Sequence, residues 1–219
     1  MPGTLTIGVL VSGEGTTLDA LAGEAASGTL PARIVLVVSD RAGVPALEKA
    51  ARRGLPAVVL PAKGMDRETW ARSLTDALER AGVELVVNAG FLSILPDSWV
   101  ERWEGRAINV HPSLLPRHGG RGMYGPRVHQ SVLAAGDAET GATVHLVTPA
   151  IDGGPVIAQQ RIPVLPGDTP ESLRVRLHPV EVALLAATIR RFAEGALPLP
   201  YRTREAPARG RADGSADGS

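Results

Sequence analysis

Apolar residues fall in short continuous runs, separated by stretches with helical periodicity. Residues 5–11 (LTIGVLV), 33–38 (RIVLVV), 57–60 (AVVL), 85–87 (LVV) and 107–110 (AINV) each predict a strand. Residues 18–26 and 45–53 predict helices between the first three strands. Asp66 stands where a helix N-cap belongs, because its carboxylate can accept from the free N–H groups of a first turn. Beyond it, Trp70, Leu74, Ala77, Leu78 and Ala81 recur on one helical face. Strands that are continuously apolar predict burial on both faces, as in a parallel sheet covered by helices. The expected fold class is α/β, three-layered and Rossmann-like, with a mainly parallel central sheet.

The second half of the chain changes character. Residues 142–147 (ATVHLV) alternate, and residues 156–163 are strand-like and end in proline, so a mixed or antiparallel edge is expected. Residues 172–194 predict a last helix, with Pro179 expected to kink or break it. From Arg202 onward the chain (RTREAPARGRADGSADGS) has too little apolar surface to offset the entropy of ordering it. One folded domain over residues 1–201 and a disordered tail over residues 202–219 are expected.

Composition narrows the function. At 219 residues the chain can bury a sizeable core, and with 3% aromatics that core must be built from Leu, Val, Ile and Ala. Lys+Arg and Asp+Glu balance at 23 each, so no net charge draws the chain toward nucleic acid or a membrane surface. The absence of cysteine excludes disulfides, thiolate catalysis and Cys-based zinc sites. No apolar run reaches the roughly 20 residues of a membrane span. The N-terminus enters a strand at once, so no leader is expected and the cytoplasm is the expected location.

Two segments carry candidate chemistry. Ser12-Gly13-Glu14-Gly15-Thr16-Thr17 follows the first strand and opens the first helix, where a parallel sheet presents free N–H groups and a positive helix end. A phosphate suits that site; a plain strand-to-helix turn is the structural alternative. A dinucleotide reading competes, since Ser39-Asp40 lies where a ribose-binding acid would sit, but Leu18 occupies the place of the third glycine. The second segment is Asn109-Val110-His111-Pro112-Ser113-Leu114-Leu115-Pro116, after the fifth strand. Asn109 and His111 are two apart, so on an extended chain they share a face. An amide donor beside an imidazole can stabilise an oxyanion and move a proton.

NVHPSLLP, preceded by Ala89-Gly90-Phe91-Leu92-Ser93-Ile94-Leu95 and followed by Asp152-Gly153-Gly154-Pro155-Val156-Ile157, resembles the phosphoribosylglycinamide formyltransferase family from about residue 5 to about residue 195. The resemblance implies a formyltransferase fold and a folate-dependent enzyme of purine synthesis. In such an enzyme 10-formyltetrahydrofolate is the cosubstrate, glycinamide ribonucleotide the formyl acceptor, and no metal is needed. It implies catalytic roles for His111, Asn109 and Asp152, with the carboxylate favouring the imidazolium if the two meet. It implies substrate binding by Gly15, Thr16, Thr17 and Glu181. For the folate it implies Arg67, Leu92, Ser93, Ile94, Leu95 and Asn109. Glu14, the Thr16-Thr17 pair and Asn88 depart from the usual family pattern. The 119–125 glycine loop is a candidate lid, His129 is expected to be structural or peripheral, and His145 is a minor candidate for the folate site.

Other readings stay open on the residues alone. They are a formyltetrahydrofolate hydrolase, a methionyl-tRNA formyltransferase-like enzyme, an NAD-dependent dehydrogenase and a non-catalytic folate-binding module. The expected partners are small molecules, with neither nucleic acid nor membrane, and a monomer or homodimer.

Overall fold

A computed structural model of the protein describes residues 4–201, and the tail expected over residues 202–219 lies outside them. The chain alternates strand and helix through β1 (Leu5–Val11), α1 (Thr16–Ala26), β2 (Ala32–Ser39), α2 (Pro45–Arg52), β3 (Ala57–Val59), α3 (Arg67–Arg80), β4 (Leu85–Asn88), α4 (Asp97–Arg102) and β5 (Ala107–His111). Helix α5 (Pro126–Ala134), strands β6 (Glu139–Leu146) and β7 (Val156–Pro163), and helix α6 (Pro170–Ala193) complete it. The seven strands form one sheet in the order β3-β2-β1-β4-β5-β6-β7. The pairings from β3 through β5 are parallel, and β6 and β7 add an antiparallel edge.

Helices cover both faces, which makes three layers. Alternate residues of β1 explain why: Leu5, Ile7, Val9 and Val11 pack with α1, α2 and α6, while Leu10 packs with α3 and α4. A strand buried on both sides needs apolar residues at every position, hence the continuous runs. Asp66 caps α3 as expected, accepting from the Thr69 N–H at 2.9 Å. Its helix buries Trp70, Leu74 and Leu78 against the sheet.

Pro179 does not break α6, which runs from Pro170 to Ala193. A proline removes the N–H that would serve the carbonyl four residues back. That carbonyl belongs to Val175, which is 57% exposed, so water can take the place of the missing donor. Burial of Leu173 and Leu177 before the proline, and of Leu185, Ile189 and Phe192 after it, holds the two halves on the sheet.

The chain leaves β1 toward β2 and β3 on one side and returns to β4 on the other. The crevice between the segments after β1 and β4 is the topological switch point, where open α/β sheets bind ligands.

Candidate active site

Above that switch point lies a cleft of about 590 Å³, lined by the segments after β1, β4 and β5, the 120–125 loop, the 147–152 turn and one face of α6. Each of the three segments is tied down differently. Gly15 caps α1 with a φ of 67°, and a Cβ there would meet Ala46 Cα of α2 at 2.6 Å. Both the backbone angle and the close approach demand glycine. No side chain caps α1, so its first-turn N–H groups are left for the cleft. The segment after β4 is anchored by Ser12 Oγ, which accepts from the Leu92 N–H at 2.8 Å, and by Ser93 Oγ, which donates to Asp40 at 2.6 Å. Buried Asp40 also pairs with Arg41 at 3.2 Å. Its carboxylate is engaged within the fold, which removes the ribose-binding acid that a dinucleotide site would need.

The segment after β5 is held against β6 and β7. Thr143 Oγ1 donates to the Ser113 carbonyl at 2.6 Å and accepts from the Leu115 N–H at 3.1 Å. Gln159 Nε2 donates to the Leu115 carbonyl at 2.9 Å. Asn109 and His111 thus leave a rigid strand end, as their spacing predicts.

His111 is buried, and its Nε2 lies 2.9 Å from the His118 carbonyl oxygen. A carbonyl only accepts, so Nε2 carries a hydrogen. The other ring nitrogen, Nδ1, lies 3.5 Å from Asp152 Oδ2. The structure therefore brings together two residues that are 41 positions apart in sequence. The same Oδ2 accepts from the Gly120 N–H at 2.9 Å. His145 fixes the remaining group. Its Nδ1 faces the Leu146 carbonyl at 2.9 Å, leaving Nε2 to accept from Asn109 Nδ2 at 3.0 Å. Burial lowers the His145 pKa, which favours the neutral ring that accepts from Asn109.

The Asp152-Gly153-Gly154 turn is shaped by sterics. Asp152 has a φ of 54°, a left-handed conformation that Asp tolerates better than most residues. A Cβ on Gly154 would sit 1.9 Å from the Leu146 carbonyl oxygen. Gly154→Ala is expected to lower stability by roughly 1–3 kcal/mol, as overpacking does, and to displace Asp152. Urea unfolding checks it, and an unchanged midpoint would show that the turn yields freely.

Gly15, Thr16, Thr17, Leu92, Ser93, Ile94, Leu95, Asn109, His111, Asp152 and Glu181 all line the cleft. Arg67 does not; it opens α3, outside the lining. Leu92 and Ile94 are 44% and 45% exposed and offer apolar surface, while Leu95 is buried beneath them. His129 and His145 both line the cleft, although sequence reasoning left the first peripheral and the second marginal. Arg121, Arg127, Arg174 and His178 also line it and were missed. For Arg174 and His178 a signal existed, since helical spacing puts both on the face of Glu181. Asn88 Oδ1 and His129 Nδ1 are buried with no partner in the fold. Buried polar atoms are normally satisfied, so two unsatisfied ones at one cleft suit a polar ligand. Burial raises the Glu181 pKa to about 7, against a smaller opposing effect of Arg174.

The formyl transferase family model matches residues 5–189. The trifunctional purine biosynthetic protein adenosine-3 of Drosophila pseudoobscura pseudoobscura is 42% identical over 195 residues, covering 87% of this chain. The chain spans only 14% of that longer relative's length. The phosphoribosylglycinamide formyltransferase of Escherichia coli K12 is 36% identical over 194 residues, which is 88% of this chain and 89% of that protein. Among solved structures, glycinamide ribonucleotide transformylase 1 from Symbiobacterium toebii superposes with a TM-score of 0.83 at 37% identity, covering 89% of this chain and 90% of that one.

Proposed function

The chain belongs to the formyl transferase family, and from that premise we propose that it transfers the formyl group of 10-formyltetrahydrofolate to the amine of glycinamide ribonucleotide, in purine biosynthesis. The observation that carries the reading is the convergence of the Asn109 amide, the His111 ring and the Asp152 carboxylate in one cleft that also opens onto the start of α1. In the reaction the amine nitrogen attacks the formyl carbon, and the carbonyl oxygen takes the negative charge. The new C–N bond stays, the bond from carbon to the folate nitrogen breaks, and a proton passes from the amine to the leaving tetrahydrofolate.

Each group has a part in that sequence. Asn109 presents an N–H that His145 does not use, aimed by the bond that His145 does accept. His111, held through Nε2, offers Nδ1 toward the same space. Both act as donors to the developing oxyanion, which is where preorganised donors contribute most. Asp152 holds the imidazolium in place by its charge. Gly15, Thr16 and Thr17 receive the ribonucleotide phosphate on the N–H groups and positive end of α1. Leu92 and Ile94 flank the folate, with Asn88 Oδ1 as an acceptor for its polar ring. A tail carboxylate leaving the cleft is assigned to Arg67. The volume of about 590 Å³ lies inside the roughly 300–1,000 Å³ of small-molecule sites. The substrates are small molecules, and the proposed location is the cytoplasm; no described helix is long and apolar enough to cross a membrane.

Glu181 supplies a pH test. Its carboxyl ionises at about 7 instead of near 4.5, and the ionised form is the better acceptor for the amine and hydroxyls of the ribonucleotide. Apparent affinity for the ribonucleotide is therefore expected to strengthen as pH rises through 7, and Glu181→Gln is expected to flatten that limb. Stability moves the other way. Between pH 4.5 and 7 the unfolded chain gives up this proton while the fold retains it, so stability falls as pH rises through that window. KM profiles and urea midpoints at several pH values check both; a wild-type KM with no limb near 7 would remove Glu181 from binding.

The direct experiment is turnover with purified protein, 10-formyltetrahydrofolate and glycinamide ribonucleotide. Tetrahydrofolate release that depends on the ribonucleotide is expected. Release without it would replace the reading with a hydrolase, and no release would overturn it.

A further inference from the structure

We infer that His118 is a positioning residue for this reaction: its ring, pinned between Ser131 and Asp137, holds the backbone that presents the His118 carbonyl to His111 and the Gly120 N–H to Asp152. The inference rests on the formyl-transfer reading for its consequence, and on geometry alone for its structural content.

His118 Nδ1 lies 2.8 Å from Ser131 Oγ on α5, and Nε2 lies 2.8 Å from Asp137 Oδ2 just beyond that helix. Asp137 is held in turn by Arg117 through its other oxygen. The hydrogen bond from His118, with the Arg117 charge beside it, keeps the Asp137 carboxyl below the usual carboxylate range. The imidazole is thus fixed at both nitrogens, and its side chain is only 10% exposed.

What this clamp secures is an unusual stretch of backbone. His118 has a φ of 56°, a left-handed angle seldom adopted by a residue with a Cβ. In that conformation its carbonyl oxygen meets His111 Nε2 at 2.9 Å. Two residues on, the Gly120 N–H meets Asp152 Oδ2 at 2.9 Å. Gly119 and Gly120 have no side chains, so the His118 ring is the nearest side-chain anchor for these two contacts. One segment therefore sets which nitrogen of His111 bears hydrogen and where the Asp152 carboxylate points. Without the clamp the carbonyl is free to swing away, and His111 Nδ1 and Nε2 become interchangeable protonation sites. The ring is then free to turn, and its Nδ1 is no longer aimed at the oxyanion.

The test compares the wild-type chain with His118→Gly and Asp137→Asn. Glycine still permits the positive φ while removing the ring, so it separates the clamp from simple backbone strain. Nitrogen-15 correlation spectra of the His111 ring are expected to show one tautomer, with hydrogen on Nε2, in the wild-type chain at high pH. In His118→Gly a mixture is expected, with Asp137→Asn between the two. In turnover, kcat is expected to fall about 10-fold or more in His118→Gly, with KM for both substrates within about 3-fold. An unchanged His111 tautomer, or an unchanged kcat beside an active wild-type chain, overturns the inference. If the wild-type chain does not turn over, the formyl-transfer reading fails and the ring spectra alone decide the place of His118. Should His118→Gly not fold, Ser131→Ala removes one of the ring's two partners, and the same spectra apply.

Discussion

Replacing His111 by alanine is expected to lower turnover about 10³-fold or more while leaving affinity for the folate within about 3-fold. The imidazole sits at the end of β5 with Nε2 committed to the His118 carbonyl, so only Nδ1 is left for the proposed reaction. A formyl oxygen in the ground state is a weak acceptor, and the oxyanion that replaces it is a strong one. A donor aimed at that atom therefore stabilises the transition state far more than the bound substrate. Alanine also leaves a void at a buried position, so His111→Gln serves as a second variant of more similar size. Steady-state kinetics and folate titration check both. Turnover within 10-fold of wild type in either variant would remove His111 from the chemistry.

The second large effect is expected from Asp152→Asn, a loss of about 10²–10³-fold in kcat with the fold intact. Asparagine tolerates the left-handed backbone angle at this position about as well as aspartate does. Its amide oxygen can still accept from the Gly120 N–H. What disappears is the negative charge 3.5 Å from His111 Nδ1, and with it the electrostatic hold on the ring. The loss should therefore fall on kcat more than on KM. Steady-state kinetics of the variant and wild type check this. Equal kcat in the two would mean that the carboxylate acts only as a turn residue.

Much of the site was legible in the chain. Asn109 and His111 share a face because strand periodicity alternates side chains, and a strand end is where parallel sheets expose their ligands. The α1 glycine loop was legible for a similar local reason, since Gly15 marks a tight turn before a helix. Asp152 reached the site only through resemblance, because no local rule brings a turn after β6 to the end of β5. His129 and His145 were underrated because a histidine on an apolar face reads as core. Helix α4 escaped prediction because six residues are too few for periodicity to register, and α5 because the glycine loop before it drew the reading toward irregular structure.

Local pattern was enough for the α/β class, the parallel half of the sheet, the antiparallel edge and the two segments that face one cleft. Those features follow from apolar period and from glycine placement, which act over a few residues. Local pattern was not enough for the meeting of Asp152 with His111, the bond by which His145 aims the Asn109 amide, the engagement of Asp40 by Ser93, or the contacts of the His118 ring with Ser131 and Asp137. Each of these is a contact between segments far apart in sequence. Its geometry depends on strand order and on how loops pack above the sheet, which no local pattern encodes.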